Sequence, residues 1–336
     1  MRYKLNVGLL LPGDIILVGY NNKESKEIQK RTNSKFSHAM LYWYDSIIHA
    51  ADIVITGNPS RMLFNDDDSV CVLRLKENYR NPVQISLLIG YARTFVGTFY
   101  DKKALVAMKK GKKVVPKENR QMCSRFVAQC YDHVMLDLVE DYDNCTPEDI
   151  FKSDILYPLP NPLVEASQDD IAFAESYDVA IVQFQAIKDF LIALKKKLPN
   201  EDIVSLLQLE SYIDKEPSKG DMVLSLLEKT DYFNLWKLEK EHSPFLYNVD
   251  AFKNKWKDQS ANQAFSVIHE SKRIIDEKQN DIEVYKEKIK KIGDIEYYRK
   301  MIELRNNIIE TSRERIEVAE KILSDLNIVK IKYPWL

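Results

Sequence analysis

The chain has 336 residues, of which 45% are apolar and 30% charged, with a formal net charge of -2. That length suggests two domains, and the apolar fraction is ample for packed cores. The near-neutral balance gives no whole-chain case for binding nucleic acid or an anionic membrane.

In chain order, a Pro-Gly turn at Pro12-Gly13 leads into an expected strand, Ile15–Val18. A lysine-rich polar loop is expected from Asn21 to Ser34. Strands follow at Ser37–Tyr42 and Ile47–Ala51 around a turn near Tyr44-Asp45-Ser46, and a fourth strand at Val70–Leu75. Pro82–Phe95 reads as a helix with proline in its first turn, and Cys123–Val139 as a second helix. The basic run Lys109, Lys110, Lys112 and Lys113 lacks interleaved aromatics and reads as a solvated loop. Thr146, followed by Pro147, Glu148 and Asp149, has the form of a helix start.

The proline-rich stretch Tyr157–Pro162 reads as a domain boundary. The expected division is residues 1–165, mixing strands and helices, and residues 166–336, all helical. Beyond the boundary, Asp169 or Asp170 is expected to cap one long helix with an apolar stripe from Ile171 to Leu198. The last eighty residues carry isoleucines at steps of seven: Ile268, Ile275, Ile282, Ile289, then Ile295, Ile302, Ile309, Ile316 and Leu323. Gly293-Asp294 separates the two series, which suits an antiparallel coiled hairpin over about 255–330. One continuous helix, kinked or dimerised, is the alternative. Lys278, Arg305 and Ser312 interrupt the apolar seam.

Four cysteines, at 71, 123, 130 and 145, show no metal-ligand spacing and no CxxC. They read as reduced thiols of a cytoplasmic protein, with no metal or cofactor expected. Val7–Leu11 is too short for an export signal, and no run approaches the roughly 20 apolar residues of a membrane span.

Cys123 stands at the front of its expected helix, where the dipole and free N–H groups favour thiolate and could hold an oxyanion. The same position also suits a small buried apolar residue. Cys130 is assigned to the core. His38 and His49 occupy neighbouring strands, and a symmetric hairpin puts them directly opposite on one face. Such a pair can orient a base, serve structure alone, or form part of a metal site. A thiolate nucleophile needs a base, and the base needs a third group to set its tautomer; Cys123, His38 and His49 meet those needs in that order. His133, His242 and His269 receive no role.

Several short segments carry a resemblance. They are Gly13-Asp14-Ile15-Ile16-Leu17, Ser37-His38-Ala39, Ile47-Ile48-His49-Ala50, Gly97-Thr98-Phe99-Tyr100-Asp101, Met122-Cys123-Ser124-Arg125-Phe126-Val127 and Cys145-Thr146-Pro147-Glu148-Asp149-Ile150. Their order, histidine before cysteine, resembles the circularly permuted NlpC-like papain-fold hydrolases, most of all the YiiX-like group. Lecithin:retinol acyltransferase-like proteins are more distant relatives. The resemblance covers about residues 8–160 and implies an α+β fold: a permuted papain-like domain followed by an all-α domain. It implies Cys123 as nucleophile, His38 as base and His49 in the third position. YiiX-like members often carry an acid there and acyltransferase-like ones a histidine. Tyr100 and Ser124 become candidates for an oxyanion or substrate contact, with packing as the other reading of Tyr100. The implied activity is a thiol hydrolase or acyltransferase acting on an amide or ester of a peptide, lipid or other acyl substrate. The alternative is a non-catalytic scaffold whose C-terminal helices bind a protein partner or a second copy.

Overall fold

A computed structural model of the chain describes residues 1–43, 46–108, 112–113, 120–198, 203, 205–257 and 260–327. The contacts divide it into two compact units: residues 1–180 with 200–209, and residues 181–199 with 210–336.

The first unit is built on two antiparallel sheets. The larger takes β2 (Ile15–Gly19), β3 (His38–Trp43), β4 (Ser46–Ala50), β5 (Val54–Gly57), β7 (Ser69–Leu75) and β8 (Leu156–Pro158), in the order β5-β4-β3-β2-β7-β8. The smaller places β1 (Arg2–Leu5) between β6 (Leu63–Asn65) and β9 (Leu163–Glu165). The central strand β2 is buried on both faces, which is why it reads as an unbroken apolar run. Ile15 and Leu17 face a core shared with α2 (Pro82–Thr94) and α4 (Cys123–Asp132), through Ile85, Leu88, Phe126 and Val127. Ile16 and Val18 face Leu5, Leu10, Met40 and Phe64 on the side of the small sheet. Each of these fully buried side chains stabilises the fold by roughly 2 kcal/mol through burial alone.

Gly13 makes the turn into β2 with φ +87°, and a Cβ there would lie 2.7 Å from Ile85 Cδ1. Asp14 beside it is fully buried and accepts two bonds from Arg74, at 2.8 and 2.7 Å. The proline stretch expected as a boundary carries β8 and, just after it, β9; Leu159 N–H bonds Val72 O and Asn6 N–H bonds Pro162 O.

Three expectations are corrected. The Asn21–Ser34 loop contains a helix, α1 (Lys23–Thr32), capped by Asn22 and ended by Asn33 at φ 48°. Its inward face carries Ser25 and Gln29 with Ile28 as the one apolar residue, so hydrophobic periodicity has almost nothing to register. Helix α4 stops at Asp132 instead of Val139, because Met135 adopts φ 60° and Leu136 N–H closes back on Tyr131 O. The long helix after residue 167 is two, α6 (Gln168–Glu175) and α7 (Val179–Lys197), separated by the extended Ser176. Ser167 is the cap, in a reciprocal capping box with Asp170. The expected turn residues Tyr44 and Asp45, and Lys109 and Lys110 of the basic run, lie outside the described residues.

In the second unit the long helices α12 (Ser260–Ile292) and α13 (Glu296–Asp325) form an antiparallel hairpin around Gly293, at φ +100°. Ile268 and Ala264 pack with Ala319, Ile322 and Leu323 near the open end. The polar interruptions of the seam all have partners. Arg305 donates to Asp281 at 3.0 Å and to the Tyr285 hydroxyl at 3.3 Å; Lys278 lies 2.6 Å from Glu277; Ser312 donates back to Ile308 O. Among the described residues no helix is long and apolar enough to cross a membrane.

Candidate active site

Cys123 is the first residue of α4. Met122 before it is extended and offers no side-chain cap, so the N–H groups of the first turn are left to the site. The approach to the helix is held from both sides. Gln121 bridges to Tyr100, with Gln121 N–H on Phe99 O and Asp101 N–H on Gln121 O. Arg125, buried on α4, donates to Arg120 O at 2.6 Å and to Asp143 at 2.7 Å. Tyr100 is tied further by its own N–H to Asp52 O.

Cys123 is 6% exposed, and its sulfur points at the carbonyl of Ser37, 3.9 Å away. The N–H groups of Ala39 and Ser124 and the Tyr100 hydroxyl also face it. Burial pushes the thiol up, and these donors offset the rise only in part. Desolvation thus works against the thiolate that the helix start favours. Burial also pushes the Tyr100 phenol well above its ordinary range, and the neighbouring sulfur adds to this.

His38 and His49 meet edge to face, with ring centroids 5.0 Å apart and His38 Nε2 2.8 Å from His49 Nδ1. Their register differs from the symmetric hairpin. Strand β3 pairs with β4 through Leu41↔Ile48, Tyr42↔Ile47 and Trp43↔Ser46, so the histidines are diagonal neighbours rather than directly opposite. A two-residue shift preserves the face, and the rings still meet. Burial pushes His38 down to about 4; burial and then the charge of His38 push His49 down to about 3. Both rings are neutral at physiological pH.

Ser124 turns away from the sulfur: its hydroxyl donates to Cys145 O at 2.6 Å. Cys130 is fully buried in the core, and His133 stacks on Tyr91 with centroids 3.8 Å apart. Residue patterns in the sequence did not single out Ser37 and Ala39, whose main chain seats the sulfur, or the Arg125–Asp143 pair. Main-chain contacts carry no side-chain signature; the Ser37-His38-Ala39 and Ser124-Arg125 segments were the nearest signals. Among the described residues no group of histidines, cysteines and acids is arranged to hold a metal ion.

Residues 10–154 match the model of a family described as permuted papain-like amidase enzymes, YaeF/YiiX, C92 family. This segment is a permuted papain-like domain. The match spans less than half of the chain and includes all the site residues above. The description points to hydrolase chemistry of the amidase or peptidase kind in the papain-like domain. Among solved structures, the metalloprotein yiiX of Escherichia coli O157:H7 is 18% identical over 44% of this chain and 96% of its own, with a TM-score of 0.35. No curated protein matches the chain.

Proposed function

We propose that the papain-like domain is a cysteine amidase in which Cys123 is the nucleophile, His38 the base and His49 the residue that orients it. The observation that carries this reading is the 2.8 Å bond between His38 Nε2 and His49 Nδ1, on a strand whose flanking main chain seats the Cys123 sulfur. With His38 Nε2–H donating to His49 Nδ1, the lone pair of His38 is left on Nδ1, the nitrogen that takes the thiol proton.

In this scheme the sulfur attacks the carbonyl carbon of an amide as its proton passes to His38. Negative charge grows on the carbonyl oxygen, where the N–H groups of the α4 start and the Tyr100 hydroxyl are the available donors. The tetrahedral adduct collapses to a thioester while His38 returns the proton to the departing amine. Water then attacks the thioester, again through His38, and releases the acid and the free thiol. Because burial disfavours both the thiolate and the imidazolium, proton transfer accompanies attack instead of preceding it. A peptide-type amide is the substrate class favoured by the family description; an ester, or transfer of the acyl group to an acceptor other than water, uses the same intermediate.

The test is intact-mass detection of an acyl adduct on Cys123 with activated peptide amides, together with turnover. Wild-type protein forms the adduct and Cys123→Ala does not. A wild-type protein that is neither acylated nor active on amides or esters would leave the scaffold reading.

A further inference from the structure

Helix α1 lies between β2 and β3 in the chain, and Ser25 is its one buried residue. Its attachment is a chain of hydrogen bonds that runs in one direction. Gln29 Nε2 donates to Ser25 Oγ at 3.0 Å and reaches Tyr20 O at 3.4 Å. Ser25 Oγ bonds Ser37 Oγ, and Ser37 Oγ donates in turn to Val18 O at 3.3 Å. Ser37 N–H also bonds Val18 O, at 2.9 Å. Ser25 and Ser37 are 4% and 8% exposed, so these hydroxyls are lost to water and held by one another.

Ser37 immediately precedes the proposed base, and its carbonyl is the oxygen at which the Cys123 thiol points. The hydroxyl end of Ser37 is gripped by α1 while its carbonyl end meets the nucleophile. The sheet already holds the main chain of Ser37 through its N–H on Val18 O, and α1 adds the grip on its side-chain end.

We propose that Ser25 is a positioning residue: through Ser37 it sets the main-chain seat of the Cys123 sulfur and the start of the His38 strand. This rests on the catalytic reading above, yet concerns residues that touch no substrate. Removing the Ser25 hydroxyl leaves Ser37 held by Val18 alone, and the acceptor that the thiol faces is held less tightly.

The experiment compares Ser25→Ala and Ser25→Thr with the wild type by three readouts: Cys123 alkylation rate against pH, kcat and KM on an amide acylating the wild type, and thermal melting. Ser25→Ala is expected to shift the alkylation profile and lower kcat by about tenfold with KM unchanged, since small misplacements of reacting groups act on the chemical step. Ser25→Thr, which keeps a hydroxyl, restores both. A Ser25→Ala protein whose alkylation profile and kcat match the wild type overturns the proposal, as does a threonine variant equally impaired while melting normally. The alkylation profile reads the sulfur's surroundings without any substrate. An inactive wild type would thus count against the amidase reading while the profile still decides the role of Ser25.

Discussion

The hydroxyl of Ser124 donates to the carbonyl of Cys145 at 2.6 Å, so the residue after Cys123 shows the sulfur only its main-chain N–H. The nearest hydroxyl along the chain is thereby committed elsewhere and does not replace a missing thiol. Cys123→Ala is expected to abolish turnover, with a loss on the order of 10⁴-fold or more in kcat. Melting should change little, because only a small apolar volume is removed. Steady-state kinetics and melts of Cys123→Ala and Cys130→Ala check this; the second should lose stability, since Cys130 is fully buried.

The thiol of Cys123 is raised by burial, so its alkylation by iodoacetamide should inflect above the ordinary range of a free cysteine near 8.5. Tyr100→Phe removes one of the donors that hold the thiolate, and should move the inflection higher still. A labelling rate followed against pH, with Cys123→Ala as blank, gives both values. An inflection well below 8.5 would show that desolvation does not dominate.

Replacing His38 by alanine should cost on the order of 10³-fold in kcat/KM, and replacing His49 by glutamine distinctly less. Glutamine can still accept the His38 Nε2 proton, but no other side chain supplies the base. In the wild type the acid limb of kcat/KM should fall only near pH 4, because His38 must be neutral to act and is neutral down to about 4. A limb near 6.5 would place the working imidazole in water.

The same pair bears on acid stability. Unfolded, each imidazole takes a proton near 6.5; folded, they do so only near 4 and 3. Between those values the unfolded chain binds more protons, so stability is complete above about 6.5 and is lost as pH falls toward 3. Both residues keep part of their surface open, which reduces the size of the loss. Urea unfolding at several pH values should show the His38→Ala, His49→Gln double variant losing less between pH 6.5 and 4 than the wild type.

Gly13→Ala should destabilise the protein by about 1–3 kcal/mol, since the new methyl meets Ile85 and φ +87° disfavours any side chain. Calorimetry checks it, with Gly90→Ala as control: a Cβ at Gly90, within helix α2, meets nothing within 4 Å.

The sequence carries those parts of the fold that depend on apolar burial or side-chain capping. Strand β2, the Pro82 helix start, the Thr146 capping box and the Gly293 break all announce themselves this way. The histidine pair was legible because strand parity survives a shift of two residues, although its diagonal register was not. Helix α1 was not legible, since its buried contacts run through Ser25 and Gln29, and such residues look like a loop. Strands β1, β6, β8 and β9 are three or four residues long, too short for any alternation to stand out. The upward push on the thiol is not legible for another reason: desolvation depends on how much protein surrounds the sulfur, which no local pattern records.

Strand β1 is hydrogen-bonded to β6 on one side and to β9 on the other. The N-terminal strand of the papain-like unit therefore waits for residues 163–165 before its sheet is complete. On the ribosome, His38, His49 and their strands emerge well before Cys123, and Cys123 well before β9. A partly synthesised chain holds the proposed base without Cys123, then Cys123 in a unit whose small sheet is still open. The order of residues along the chain thus delays assembly of the proposed site until most of its surroundings exist, a timing that arrest of synthesis at successive lengths, followed by thiol labelling, would display.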